Sequence, residues 1–136
     1  MEEIKERKRG LREKMARMVN ELSESDRIAR TRKIENRLFD FANFMEAKIP
    51  LLYVNYGCEV NTRAILKRCF TYNKIVVLPA FEEKYKMKLM KVDDLEADLK
   101  PGLRGIPEPD ETRCKKVPID RIDIAIIPGL ALDEKG

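Results

Sequence analysis

Three cations near the start of the chain have the type and spacing of an anion-binding group. Lys8 and Arg12 are four residues apart and share one face if the segment is helical, and Arg9 lies between them. Arg12 can hold a phosphate or a carboxylate through two parallel hydrogen bonds. Taken alone, the same pattern is also typical of a solvated helix face.

Glu59 is a second candidate, because it follows an apolar run and a turn that contains Gly57. A carboxylate at such a position can accept hydrogen bonds from the N–H groups of a ligand. Alternatively, Glu59 stabilises the start of the next helix, since acids are favoured at the positive end of a helix dipole. The residues leave both interpretations open.

The composition restricts the chemistry, because the chain has no histidine and only three cysteines. Histidine-based triads and most general-base schemes at neutral pH are excluded, and a four-ligand zinc site cannot be assembled. We expect the widely spaced Cys58, Cys69 and Cys114 to be reduced and unbridged. Chemistry must therefore depend on Lys, Arg, Asp, Glu, backbone amides or a bound metal.

Two helices are predicted before residue 46. Apolar residues recur at helical spacing over 2–20, and Ser23 with Asp26 has the pattern of a second helix start, leading to an end near Phe44. We expect one apolar stripe on each helix to be buried. The stripes consist of Ile4, Leu11, Met15, Met18 and Leu22, and of Ile28, Ile34, Leu38, Phe41 and Met45.

Further along, short apolar runs predict strands. The runs are 49–54, 74–79, 87–90 and 122–127. A short helix through Phe70 separates the first two, and the glycine- and proline-rich stretch 101–109 predicts an irregular loop. The order predicts a single α/β domain over residues 1–136, with a mostly parallel sheet flanked by helices in three layers.

Ligands of such sheets bind at the carboxyl ends of the strands. The loops expected there are Asn55–Glu59, Pro79–Phe81 and Pro128–Gly136. In the last loop, sharp turns at Gly129 and around Asp133 and Gly136 can offer backbone amides to phosphate oxygens. A plain connecting loop is the alternative.

Five motifs follow one another along the chain: K-x-x-L-R at 8–12, Y-V…E-V-N-T at 53–62, V-L-P at 77–79, G-I-P-E-P at 105–109 and D-x-x-x-x-P-G-L-A-x-D-x-x-G at 123–136. This series resembles the 5-formyltetrahydrofolate cyclo-ligase family, also called methenyltetrahydrofolate synthetases. The resemblance covers residues 5–136, and the last two motifs are its specific parts.

The resemblance implies an ATP- and magnesium-dependent cyclisation. In this family ATP phosphorylates the formyl oxygen of 5-formyltetrahydrofolate, N10 attacks the activated carbon, and loss of phosphate leaves 5,10-methenyltetrahydrofolate. Phosphoryl transfer needs mainly positioning and charge neutralisation. The absence of histidine is therefore compatible with this reaction.

The resemblance also implies site residues by position. Arg12, Val54 and Glu59 correspond to contacts with the folate substrate, with Val54 in the wall of the pterin pocket and Glu59 hydrogen-bonded to the pterin ring. Asp133 is the candidate magnesium ligand. The ATP-binding positions are Lys8, Arg9, Leu11, Arg12, Gly129, Asp133 and Gly136.

The chain differs from the family pattern at one end. Family members continue beyond the position of Gly136 with R-L-G-x-G-x-G-Y-Y-D, which this sequence lacks. We therefore expect a sheet that is incomplete at its C-terminal side and a phosphate site without its main glycine loop. A fragment, a truncated product and a domain completed by another chain are the three explanations, and each leaves the activity of this chain open.

The sequence also has to be compared with the patterns of two other classes of function. A non-catalytic module that binds nucleotide or folate can use the same scaffold, whereas nucleic-acid binding is disfavoured because the net charge is only +4. No apolar run reaches the roughly 18 residues of a membrane span, and the start lacks a secretory signal. We therefore expect small-molecule partners and a cytoplasmic location.

Overall fold

Helices occupy the first third of the structure, a computed structural model that describes residues 1–83, 86–102 and 104–136. The helices are α1 (Glu2–Glu21), α2 (Glu24–Asp40) and the short α3 (Ala42–Glu46). Ser23 caps α2, since its Oγ accepts the backbone N–H of Asp26 at 3.2 Å. The predicted helix start is confirmed, but the backbone is extended at Phe41 and divides the predicted second helix in two.

The strands that the structure describes form two sheets. They are β1 (Pro50–Leu51), β2 (Val76–Phe81), β3 (Met87–Val92), β4 (Leu99–Pro101), β5 (Pro107–Pro109), β6 (Lys115–Lys116) and β7 (Ile124–Ala125). Helix α4 (Arg63–Thr71) connects β1 to β2. The larger sheet has the order β6-β3-β2-β1-β7, and β4 and β5 form a separate hairpin.

The larger sheet is mixed. Strand β1 runs parallel to β2 and to β7, with Leu51 opposite both Val77 and Ala125. Strand β3 runs antiparallel to β2 and to β6. Only residues 82–86 join β2 to β3, and a connection this short permits a hairpin but not a parallel crossover. The α/β class and the two N-terminal helices are confirmed, and the parallel part of the sheet consists of β1, β2 and β7.

The prediction of an irregular loop over 101–109 is partly wrong. Among the described residues, which exclude Leu103, 102 and 104–106 lie outside strands, but Pro101 and 107–109 belong to strands. This stretch contains parts of β4 and β5, whose prolines are tolerated because they lie at strand ends of a two-stranded sheet. Glu108 attaches the hairpin to β2, because its Oε1 accepts the Phe81 N–H at 2.5 Å. A Cβ atom at Gly102 would overlap the Glu108 carboxylate, so a larger residue there would force this side chain to move.

The core lies against the sheet and is covered mainly by α3 and α4. Phe44, Leu52, Cys69 and Leu78 are among its fully buried side chains. Helix α1 contributes no buried residue, and α2 contributes only Phe39.

The expected burial of the helix stripes is therefore largely wrong. The exposed members are Ile4, Leu11, Met18, Ile28, Ile34 and Phe41, and the half-buried ones are Met15, Leu22, Leu38 and Met45. Helical periodicity fixes which side of a helix is apolar, but it does not supply an element to cover that side.

A buried ammonium joins α3 to the sheet. Lys74 is 7% exposed, and its Nζ donates to the carbonyls of Phe44 at 2.8 Å, Met45 at 3.0 Å and Ala47 at 2.6 Å. These carbonyls belong to the end of a helix, where acceptors lack intrahelical partners and a positive charge is favoured. The contact fixes the chain just before it enters β1.

One carboxylate attaches the start of β7 to the residues just before β1. Asp123 Oδ2 accepts the backbone N–H groups of Lys48 and Ile49, both at 2.9 Å. Within the described sheet β7 is an outer strand, and Ile127 beyond it is 74% exposed.

Replacement of Lys74 tests the role of the buried ammonium. We expect Lys74→Met to lower the free energy of unfolding by about 3 kcal/mol, because it leaves three carbonyls without their donor. Urea denaturation measures the change, with Lys33→Met on the exposed side of α2 as the control. Equal stabilities of the two variants would contradict the assigned role.

Candidate functional site

Two adjoining cavities lie around the loop that follows β1. The hairpin cavity, of about 410 Å³, is enclosed by Val54, the start of α4 and the β4–β5 hairpin. The helix cavity, of about 720 Å³, lies between α2, α4 and loop residues 57–61. Asn55, Asn61 and Arg63 line both, so the cavities meet at these residues. A third cavity, of about 560 Å³, includes Phe81 and Glu108.

The loop between β1 and α4 is fixed by its own hydrogen bonds. Thr62, which is 2% exposed, donates from Oγ1 to the Tyr53 carbonyl at 2.6 Å, and the Tyr53 hydroxyl donates to the Val60 carbonyl at 3.3 Å. The loop turns at Gly57, whose φ of 58° lies in the left-handed region that favours glycine. The predicted turn therefore has a defined shape before any ligand binds.

Glu59 belongs to this loop and lines the helix cavity. Its Oε1 accepts the Tyr56 N–H at 2.7 Å, and α4 begins only at Arg63, so the interpretation of Glu59 as a first-turn acid is wrong. Burial raises the pKa of the Tyr53 phenol, and the negative charge of Glu59 raises it further. Tyr53 therefore stays protonated near neutral pH and keeps its hydrogen bond to the loop.

Helix α1 touches the same loop through Cys58. The Cys58 Sγ lies 3.9 Å from the Ala16 carbonyl oxygen and 3.6 Å from Asn20 Oδ1. Arg12 is one helical turn before Ala16, and Lys8 is one turn before Arg12, so these residues follow one another along one side of the helix. In the described part of the chain, no hydrogen bond or ion pair joins Lys8 or Arg12 to the Glu59 loop, so their approach to it stays a prediction.

The four predicted site residues on α1 are all exposed, and they are Lys8, Arg9, Leu11 and Arg12. Arg9 lies 3.9 Å from Glu6 and 4.0 Å from Glu13, and exposed pairs of this kind contribute little to stability. Leu11 is 46% exposed. None of these four residues lines the three cavities described above.

Val54 lies in the hairpin cavity, next to Asn55 at the junction of the two cavities. It is half-buried and packs against the core. The two predicted substrate residues of this loop, Val54 and Glu59, are therefore brought to adjoining cavities rather than to a single one.

The segment after β7 has the polar turn expected from the sequence. Asp133 Oδ1 accepts the Lys135 N–H at 2.9 Å, and the Gly136 N–H donates to the Asp133 carbonyl at 3.2 Å. Among the described residues, no hydrogen bond or ion pair joins this segment or Gly129 to α1. The convergence of both segments on a nucleotide therefore stays a prediction.

The donor set around Asp133 does not fit a magnesium site formed by protein groups alone. Magnesium takes carboxylates together with water and phosphate oxygens. Within residues 1–83, 86–102 and 104–136, no three metal-binding side chains come together. Asp133 is exposed, and one of its oxygens already accepts a backbone N–H.

Sequence reasoning placed Asn55 in a ligand loop but did not single out Asn61 and Arg63, the other residues at the junction of the cavities. Asn61 has a recognisable signal, because asparagine side chains often accept the backbone N–H two residues further on, as its Oδ1 does from Arg63 at 3.0 Å. The 2.6 Å ion pair between Arg63 and Glu96 has no such signal, since it links residues 33 positions apart.

Comparison with known proteins decides the family. The model of the 5-formyltetrahydrofolate cyclo-ligase family matches residues 4–136. The chain belongs to this family. The resemblance inferred from the five motifs is therefore confirmed.

Characterised relatives support the same assignment. The 5-formyltetrahydrofolate cyclo-ligase of Haemophilus influenzae is 31% identical over 67% of this chain and 49% of its own length. The probable enzyme of Caenorhabditis elegans is 27% identical, with coverage of 100% and 68%, and the mouse enzyme is 24% identical, with coverage of 95% and 66%. This chain thus spans about half to two thirds of the length of these relatives.

Solved structures agree with the described fold. The 5,10-methenyltetrahydrofolate synthetase of Aquifex aeolicus matches with a TM-score of 0.82 at 29% identity, over 95% of this chain and 64% of its own. The Mycoplasma pneumoniae synthetase, at 16% identity and a TM-score of 0.63, supports the fold alone, over 89% and 63% of the two chains. No helix in the described part of the chain has the length and apolar character needed to cross a membrane.

The three free thiols provide a test of the site environment. We expect Cys58 to react with iodoacetamide at mildly alkaline pH about a hundredfold faster than Cys69, because burial raises the pKa of Cys69 to about 11. Burial also raises the pKa of Cys114, which should protect this thiol. Peptide mapping by mass spectrometry identifies the labelled residue, and urea-unfolded protein is the control. Fast labelling of Cys69 in the folded chain would contradict the structure.

Proposed function

We propose that this chain supplies the folate-binding cavities and part of the nucleotide-binding surface for ATP-dependent conversion of 5-formyltetrahydrofolate to 5,10-methenyltetrahydrofolate, with release of ADP and phosphate. Family membership supports the reaction. The main structural support is that Val54 and Glu59 line adjoining cavities on a loop that also touches α1. Small-molecule ligands and a cytoplasmic location go with this proposal.

The cavities have the size and lining of a small-molecule site. Ligand pockets typically have volumes of about 300 to 1,000 Å³ and combine apolar walls with a few polar groups. In the hairpin cavity, Val54, Leu66 and Leu99 provide the apolar wall, and Asn55 and Asn61 provide amides. Such a lining suits a folate, whose flat ring system carries N–H and carbonyl groups.

Glu59 would hold the substrate by accepting hydrogen bonds from ring N–H groups. Its carboxylate has two oxygens, and the Tyr56 N–H uses one position on Oε1. The same bond restricts the side chain, so little conformational freedom remains to be lost on binding. A carboxylate acceptor gives a stronger hydrogen bond than a neutral amide.

Lys8 and Arg12 would neutralise phosphate charge on ATP, which binds as its magnesium complex. In the reaction the formyl oxygen takes the terminal phosphoryl group and ADP leaves. N10 then attacks the formyl carbon and loses its proton, and the carbon–oxygen bond breaks to release phosphate. Charge neutralisation and positioning are the contributions that phosphoryl transfer requires from side chains.

Binding and turnover are separate tests, because this chain spans only about half to two thirds of the length of its relatives. Calorimetric titration of the 136-residue chain with 5-formyltetrahydrofolate measures binding. The absorbance gain of 5,10-methenyltetrahydrofolate, with ATP and magnesium present, measures turnover. Binding without turnover would leave a folate-binding module, and absence of both would contradict the proposal.

Replacement of Glu59 tests the folate contact. We expect Glu59→Gln to weaken binding of 5-formyltetrahydrofolate about tenfold, because it removes the charge of the acceptor. The glutamine oxygen still accepts the Tyr56 N–H, so the loop keeps its shape. Calorimetry measures the affinity, and Glu46→Gln at the exposed end of α3 is the control. Unchanged affinity in Glu59→Gln would show that the substrate does not bind there.

Replacement of Arg12 tests the nucleotide contact. We expect Arg12→Ala to weaken binding of magnesium-ATP about fivefold, the effect of losing one exposed charge-assisted contact. Displacement of a fluorescent ATP analogue measures the affinity. Arg17→Ala is the matched control, because Arg17 is exposed on the same helix but lies on another side. Equal affinities of the two variants would remove Arg12 from the proposed site.

A further inference from the structure

Arg63 occupies the junction between the two cavities. Of the three residues that line both, it alone carries a charge. Its backbone N–H is bonded to Asn61 Oδ1 at 3.0 Å, which fixes the base of the side chain at the start of α4. The guanidinium is therefore attached at a fixed position of the backbone, at the junction that a ligand filling both cavities would occupy.

The guanidinium already binds a carboxylate in the structure. Arg63 Nη2 lies 2.6 Å from Glu96 Oε1, and the side chains are 57% and 79% exposed. Ion pairs with this exposure contribute little to stability and exchange readily with solvent or with other anions. Arginine also carries more donors than this single contact uses, in a planar arrangement that matches a carboxylate.

Other cations around the cavities fit this role less well. Arg27 lines only the helix cavity, and its guanidinium donates to the Val19 carbonyl at 3.1 Å and to Asn20 Oδ1 at 3.3 Å. These bonds hold the connection between α1 and α2. Lys100 lines the hairpin cavity and the third cavity but not the junction.

We propose that Arg63 binds a carboxylate of the glutamate moiety of the folate substrate, and that this carboxylate displaces Glu96 from the guanidinium. The inference rests on the proposed function. A folate has its pterin at one end and its glutamate carboxylates at the other, so a cation between two cavities suits a ligand whose ring occupies one of them. Glu96 then acts as a competitor that keeps the guanidinium in place until substrate arrives.

The proposal predicts opposite effects for the two partners of the ion pair. We expect Arg63→Gln to weaken binding of 5-formyltetrahydrofolate about tenfold, and Glu96→Gln to strengthen it about threefold because the competing carboxylate is gone. An ion pair with a purely structural role would make both variants weaken binding alike. Calorimetric titration of the 136-residue chain measures each affinity.

A ligand without carboxylates supplies the second arm of the test. We expect 5-formyltetrahydropteroate with its own carboxylate blocked as an amide to bind the unchanged chain and Arg63→Gln equally well. Arg121→Gln is the control for loss of an exposed charge, since Arg121 lines none of the three cavities.

The outcomes separate the two proposals. If the unchanged chain binds the folate but Arg63→Gln has the same affinity, or if both ion-pair variants weaken binding equally, the role of Arg63 is wrong and the proposed function stands. If the unchanged chain binds neither ligand, both proposals are wrong.

Discussion

The hydrogen bond from the buried Thr62 hydroxyl to the Tyr53 carbonyl is the contact on which the candidate site depends. It closes the loop between β1 and α4 at 2.6 Å, and this loop carries a wall of both cavities. A buried hydroxyl must find a partner, so the position of Thr62 and the shape of the loop are determined together. The hydrogen bonds of Tyr53 and Glu59 then form within a loop whose ends are already held together.

The mixed sheet places this loop beside the hairpin. Because β3 runs antiparallel to β2, it ends beside the start of β2, and the β4–β5 hairpin that follows brings Glu108 back to Phe81 at the other end of β2. The Glu108 carboxylate then bonds the end of β2, which brings the hairpin against Leu66 and Val54 as the far wall of a cavity. A parallel β2–β3 pair would have required a long crossover connection in place of the short link 82–86.

Local patterns in the sequence were sufficient for local features. Ser23 has a cap pattern that involves only residues within one turn, and the motif around Glu59 combines a strand end with a glycine turn. The pairing of 99–101 with 107–109 was missed because proline and glycine report on local backbone freedom and not on strand partners. The Arg63–Glu96 ion pair was unpredictable for a similar reason, since it depends on how distant elements pack.

The weak burial of α1 has an energetic consequence for the site. This helix has no buried residue, so detaching it from the rest of the molecule exposes little additional apolar surface. Its docked and undocked arrangements must therefore differ only modestly in free energy. A ligand that requires Arg12 beside the loop must use part of its binding free energy to hold the helix in place. The smaller the fraction of molecules in which the helix is docked, the lower the apparent affinity of this ligand.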